Sequence, residues 1–223
     1  SVLFSRLALV VIDEQHRFGV LQRQRLLTRD EAGRAPHRLL MTATPIPRTL
    51  ERILWGDLDV SILEGLPPGR KPIATRWVAA ADRENAYDAV RRELAAGRQA
   101  YVVCPRLVGE GEGQRSATGV AKKLAAGPFR RFRVELVHGR LKGPEKQAVM
   151  ERFRAGRVQV LVATSVVEVG LDVPNATVMI VEEADRFGLS QLHQLRGRIG
   201  RGEHASTCYL FADPKTPEGL SRM

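Results

Sequence analysis

An α/β fold built on parallel sheets is predicted by three features of this sequence. Its strand-like segments are short continuous apolar runs, helical patterns lie between them, and Pro and Gly punctuate the helix ends. Apolar runs without alternation belong to strands covered on both faces, which is the usual situation of parallel strands. Such runs occupy residues 7–12, 39–42, 100–104, 134–137, 158–163, 178–181 and 208–211. Helical spacing appears at Tyr87, Val90 and Leu94 before Gly97, and at Val120 and Leu124 before Gly127. A third helical segment carries Val149, Met150 and Phe153 between Pro144 and Gly156. Pro just inside a helix start and Gly just past its end are the expected boundaries. Strand and helix thus alternate, as in sheets joined by right-handed crossovers.

The run Leu66-Pro67-Pro68-Gly69-Arg70-Lys71-Pro72 forbids helix and favours an extended connector. The expected division is therefore a first domain over 1–65, a linker over 66–72 and a second domain over 73–223. The second part supplies five or six strands and is large enough for a complete sheet. With only two or three strands, the first part is expected to be the tail of a domain that begins upstream.

Composition narrows the class. Hydrophobic residues make up 43% and charged residues 27%, a globular balance that argues against a disordered or fibrous chain. No apolar run approaches the roughly 18 residues of a membrane span, and no signal segment opens the chain. Cys104 and Cys208 each sit inside an apolar run, which suits buried thiols in a reducing cytoplasm better than a disulfide or zinc site. The formal charge of +10 is spread along the chain and favours a polyanionic partner, although arginine-rich usage can also reflect codon bias.

Five segments carry chemistry. The first apolar run leads at once into Asp13-Glu14-Gln15-His16, two carboxylates at the carboxyl end of a strand, where open α/β sheets bind ligands. Phosphoryl transfer needs one acid for a magnesium ion and a neighbouring group for the attacking water, roles that fit Asp13 and Glu14. Alone, the pair also fits a solvated acidic turn. The second run ends in Thr42-Ala43-Thr44-Pro45, whose hydroxyls alone would suit helix capping. Further on, His138-Gly139-Arg140 closes a strand with basic side chains, and Thr164 ends the run that leads to Gly170-Leu171-Asp172. A hydroxyl and free N–H groups at a strand end suit a nucleic-acid phosphate, while Asp172 by itself reads as a turn residue. Last, Gln194-Leu195-Arg196-Gly197-Arg198-Ile199-Gly200-Arg201 spaces guanidinium forks with glycines. That pattern suits an arginine finger or, taken alone, a solvated basic loop.

In order, these segments resemble the superfamily-two helicases and translocases over nearly the whole chain. More narrowly, Asp13 to Val20, Thr44 to Thr49, and Phe187-Gly188-Leu189 leading into Gln191 to Arg201 resemble the RecG family of DNA-branch-migrating motors. The transcription-repair coupling translocases share most of these stretches but usually carry glutamate where this chain has Gln15. The resemblance implies parallel-sheet RecA-like helicase domains, one partial and one complete. It implies an ATP-dependent DNA helicase that uses ATP and Mg2+ and remodels branched or duplex DNA, in concert with amino-terminal domains of the same protein. Asp13 and Glu14 would serve magnesium and water, while Gln15 and His16 would link the γ-phosphate to the domain interface. Thr42 and Thr44 would couple ATP state to nucleic-acid grip. His138, Arg140 and Thr164 would meet the nucleic acid, Gly170, Asp172 and Gln194 the nucleotide, and Arg198 and Arg201 would be the fingers.

Two expected parts are missing. No Gly-x4-Gly-Lys-Ser/Thr loop occurs, so the triphosphate lacks its usual cradle, and the sequence ends before the helical hairpin of RecG-like motors. The chain is accordingly expected to be a motor fragment, inactive by itself. An RNA helicase and a non-hydrolysing basic nucleic-acid-binding module are the remaining alternatives.

Overall fold

A computed structural model describes residues 7–13, 36–42, 59–63, 65, 70–105, 116–164 and 173–213. The chain divides into two compact units, Ser1–Leu63 and Glu64–Met223.

In the first unit, β1 (Leu9–Ile12) and β2 (His37–Leu40) pair in parallel, with Leu9 opposite His37 and Ile12 opposite Leu40. The second strand lies two residues earlier than its apolar run suggested. Val10 and Ile12 are buried whereas Leu9 and Val11 are about half exposed, so β1 is covered on one face rather than the expected two.

The second unit is a single six-stranded sheet in which every pairing is parallel. Its strands are β3 (Ile73–Val78), β4 (Gln99–Cys104), β5 (Val134–Val137), β6 (Val160–Thr164), β7 (Ala176–Val181) and β8 (Ser206–Phe211), ordered β3-β8-β7-β4-β6-β5. All residues of β4 and β7 are buried. Their apolar runs made these strands readable. By contrast β3, an edge strand exposed along Ala74–Arg76 and at Trp77, has no such run and was not anticipated.

Four described helices cover the sheet: α1 (Arg83–Ala95), α2 (Ala117–Ala126), α3 (Gly143–Arg154) and α4 (Leu189–Arg196). Each apolar stripe read from the sequence lies inside one of the first three. Because side chains alternate along a strand, β4 feeds two cores. Ala100, Val102 and Cys104 pack with Tyr87, Val90 and Leu94 of α1 and Leu124 of α2. Tyr101 and Val103 face the other way, toward Val149, Met150 and Phe153 of α3 and Leu192 of α4. Tyr87 anchors the first core by edge-on contacts with Phe129 and Phe211, each at 5.5 Å between ring centroids. Cys104 and Cys208 are buried free thiols, their pKa values pushed up by burial.

Candidate functional site

Parallel pairing fixes which candidate residues can share an edge, since every strand of one sheet ends on the same side. Asp13 directly follows β1, and the Met41 amide donates to the Ile12 carbonyl at 2.8 Å, so Asp13 and Thr42 lie at the same carboxyl end of their pair. Both are exposed. Glu14, Gln15, His16 and Thr44 lie outside the described residues, as do Gly170 and Asp172.

In the second unit, Val137 of β5 stands opposite Ala163 of β6, which places His138 beside Thr164 at the carboxyl edge. The turn after β5 is closed locally: the Arg140 amide donates to His138 Nδ1 at 3.2 Å, and the Leu141 amide donates to the His138 carbonyl at 3.2 Å. Accepting that bond requires Nδ1 to be unprotonated. The Arg140 side chain is exposed next to it.

The arginine segment sits at the opposite edge. Helix α4 leaves the carboxyl side of β7 and returns toward the amino end of β8, so the loop after it lies where the strands begin. Gly200, with φ of +69°, packs against the first residues of two strands: a Cβ there would stand 2.9 Å from Ile73 Cγ1 and 3.8 Å from Ser206 Cβ. At Gly202 a Cβ would approach the Pro174 carbonyl oxygen to 2.6 Å, nearer than atoms tolerate. Val173 and Pro174 directly follow Asp172 in sequence and precede β7. Thus the loop bearing Arg198 and Arg201 is seated on the segment next to Asp172. Ile199 is fully buried and pins the loop to the core, while Arg201 Nε donates to the Gly197 carbonyl at 3.3 Å. Gln194 is half-buried on α4.

Sequence reasoning missed two polar clusters because each joins residues far apart in the chain. Glu182, just past β7, is buried and pairs with Arg83 at the start of α1 at 2.9 Å. The Arg83 guanidinium also lies 4.7 Å from the Phe211 ring centre. Burial pushes the Glu182 carboxyl above the ordinary carboxylate range, with Arg83 opposing it. The other cluster centres on Gln99 at the start of β4, which is 2% exposed and bonded to three separate segments, at Phe153, Val158 and Asn175. The available signal was a lone amide opening an apolar run.

A six-stranded parallel sheet with His138, Arg140 and Thr164 at one edge and a glycine-seated arginine loop at the other belongs, by the match that follows, to the class of helicase C-terminal domains. Residues 85–203, more than half the chain, match the family described as helicase conserved C-terminal domain, and the chain belongs to that family. The particular helicase it resembles is RecG. The ATP-dependent DNA helicase RecG of Synechocystis is 52% identical over 224 residues, covering 100% of this chain and 27% of the relative. For Bacillus subtilis RecG the identity is 50%, covering 100% of this chain and 32% of the relative. The chain therefore spans about a third or less of the length of these curated relatives. A solved structure of RecG bound to a three-way DNA junction superimposes with a TM-score of 0.75 at 41% identity, covering 100% of this chain and 28% of that one. Yeast Dbp5 bound to RNA and ADP BeF3 superimposes with a TM-score of 0.63 at 19% identity, covering 97% of this chain and 56% of that one, and shares the fold. The RecG likeness expected from the motifs thus holds along the whole chain, and the described sheets bear out the parallel-sheet α/β class.

Proposed function

We propose that this chain is part of the motor of an ATP-dependent DNA helicase or translocase that remodels branched DNA in recombination and repair. The observation that carries this reading is the superposition of the whole chain on RecG bound to a three-way DNA junction, and the seating of Gly202 on Pro174 adds an arginine loop set beside the segment following Asp172. One edge of the second domain then meets nucleotide through Gly170, Asp172, Gln194, Arg198 and Arg201. The other meets DNA through His138, Arg140 and Thr164. The RecG relatives and the RecG–junction structure support DNA, and branched DNA in particular, as the partner. The proposed division is a first motor domain over 1–65, a connector over 66–72 and a second motor domain over 73–223.

In the first domain Asp13 holds magnesium. The exposed Asp13 carboxylate at the carboxyl end of β1 fits an ion that would bind through one or two carboxylates plus substrate phosphates. An ion held there would supply neutralisation of phosphate charge. Glu14 orients the attacking water, Gln15 and His16 relay the γ-phosphate state, and Thr42 and Thr44 couple it to grip on DNA. Arg198 and Arg201 stabilise the charge that develops during phosphoryl transfer. Buried free thiols fit a cytoplasmic location. No described helix is long and apolar enough to cross a membrane.

ATP turnover by the full-length protein in the presence of branched DNA, linear duplex and RNA tests the reading. Strongest stimulation by branched DNA is expected. Stimulation by RNA alone would favour an RNA helicase, equal stimulation by linear duplex a coupling translocase, and no stimulation a basic binding module.

A further inference from the structure

The amide of Gln99 makes a set of bonds that the sheet itself does not require. Its Nε2 donates to the Phe153 carbonyl at 2.6 Å, at the end of α3, and to the Val158 carbonyl at 2.8 Å, just before β6. Its Oε1 accepts from Asn175 Nδ2 at 3.3 Å. Asn175 is gripped twice more: its Nδ2 donates to the Gly97 carbonyl at 2.8 Å, and its own carbonyl accepts from the Gln99 amide at 3.0 Å. A buried primary amide is costly unless its donors and acceptor are all used, and here they are. The network thus fixes Asn175 from both its backbone and its side chain.

Asn175 belongs to the turn that carries the arginine loop. The Ala176 amide donates to the Val173 carbonyl at 3.0 Å, closing the turn, and its Pro174 carbonyl is the surface on which Gly202 rests. On one side of this turn the chain continues to Asp172, and across it lies Arg201. A shift of the turn would therefore move the arginine loop seated on it, whereas His138 and Thr164 stand at the far edge of the sheet.

We propose that Asn175, held by Gln99, is a positioning residue for ATP hydrolysis, setting the Arg198–Arg201 loop through the Pro174 turn on which that loop rests. The inference rests on the function proposed above. A misplacement of about 1 Å can cost on the order of 100-fold in rate, so a remote amide can have a kinetic effect.

The test uses the full-length protein carrying Asn175→Ala, Asn175→Asp or Arg201→Ala, assayed well below the unfolding temperature of each. Asn175→Ala is expected to raise KM for ATP and lower kcat, together reducing kcat/KM by roughly 10- to 100-fold. Affinity for branched DNA should stay within about twofold of the parent. Asn175→Asp turns a donor into a carboxylate facing the Gly97 and Gln99 oxygens, so its activity relative to the parent should recover as pH falls and the acid regains a proton to donate. Unchanged KM and kcat in a folded Asn175→Ala protein would overturn the proposal, even if its melting temperature falls. A loss of DNA affinity matching the loss of turnover would overturn it too, because the effect would then not be confined to the nucleotide edge. Arg201→Ala separates the levels: an impaired Arg201→Ala beside a normal Asn175→Ala sinks this inference alone. Normal turnover in Arg201→Ala sinks the underlying reading along with it.

Discussion

Arg198 and Arg201 are separated by a buried isoleucine and a glycine at positive φ, so neither can relocate without unseating the loop. If they act on the transferring phosphate, Arg198→Ala or Arg201→Ala in the full-length protein should lower hydrolysis by roughly 10³-fold and leave DNA affinity intact. If they bind DNA, log–log plots of affinity against salt should instead flatten by about one unit for each backbone phosphate that the arginine no longer neutralises. Measuring turnover and salt dependence on the same variants decides between these outcomes. At this scale the sequence was informative about identity and poor about place. The glycine-spaced arginines were recognisable as candidate phosphate ligands, but the rule that ligands gather at the carboxyl ends of strands does not locate them, because α4 has carried the chain back to the amino edge. Gln99 and Glu182 were invisible for a simpler reason: a polar residue beside an apolar run discloses its partner only once the fold brings distant carbonyls or an arginine to it.

Among the elements, edge strand β5 depends on a carboxylate that bridges two arginines. Glu135 accepts from Arg152 of α3 at 2.7 and 3.1 Å and from Arg133 at 2.9 Å. Burial pushes the Glu135 carboxyl up, but the hydrogen bond and charge of Arg152, with Arg133, outweigh it and hold the pKa below the ordinary 4.5. A carboxylate with a depressed folded-state pKa contributes stability above its unfolded value, and that contribution is lost as pH falls through the folded one. Denaturant unfolding of the parent and of Glu135→Gln should therefore show a gap at pH 7 that closes below about pH 4.5. A gap independent of pH would contradict the ion-pair account. The same strand shows what makes elements legible. Interior strands β4, β6 and β7 announce themselves through runs buried on both faces, while β3, with Arg76 and Trp77 turned to solvent, reads as a loop. β1 misleads in the other direction, since an apolar run there accompanies exposed Leu9 and Val11.

For the molecule as a whole, one helix joins the two edges of the second unit's sheet. Helix α4 spans eight residues, about 12 Å, and leads from the carboxyl side of β7 directly into the arginine loop. The chain alone has no Gly-x4-Gly-Lys loop, and its ATP turnover with or without branched DNA should be negligible. DNA-stimulated hydrolysis by a rigorously purified sample of the isolated chain would show that the phosphates are held some other way. One last property follows from edge strand β3. The sequence holds two tryptophans, Trp55 and Trp77, one in each compact unit. Trp77 is 51% exposed, and its indole Nε1 donates to the Ala212 carbonyl at 3.0 Å, just beyond the end of β8. With Trp55 replaced by phenylalanine, the emission maximum and quenching of Trp77 become an optical gauge of the carboxyl ends of β3 and β8, and can be followed without attaching a dye.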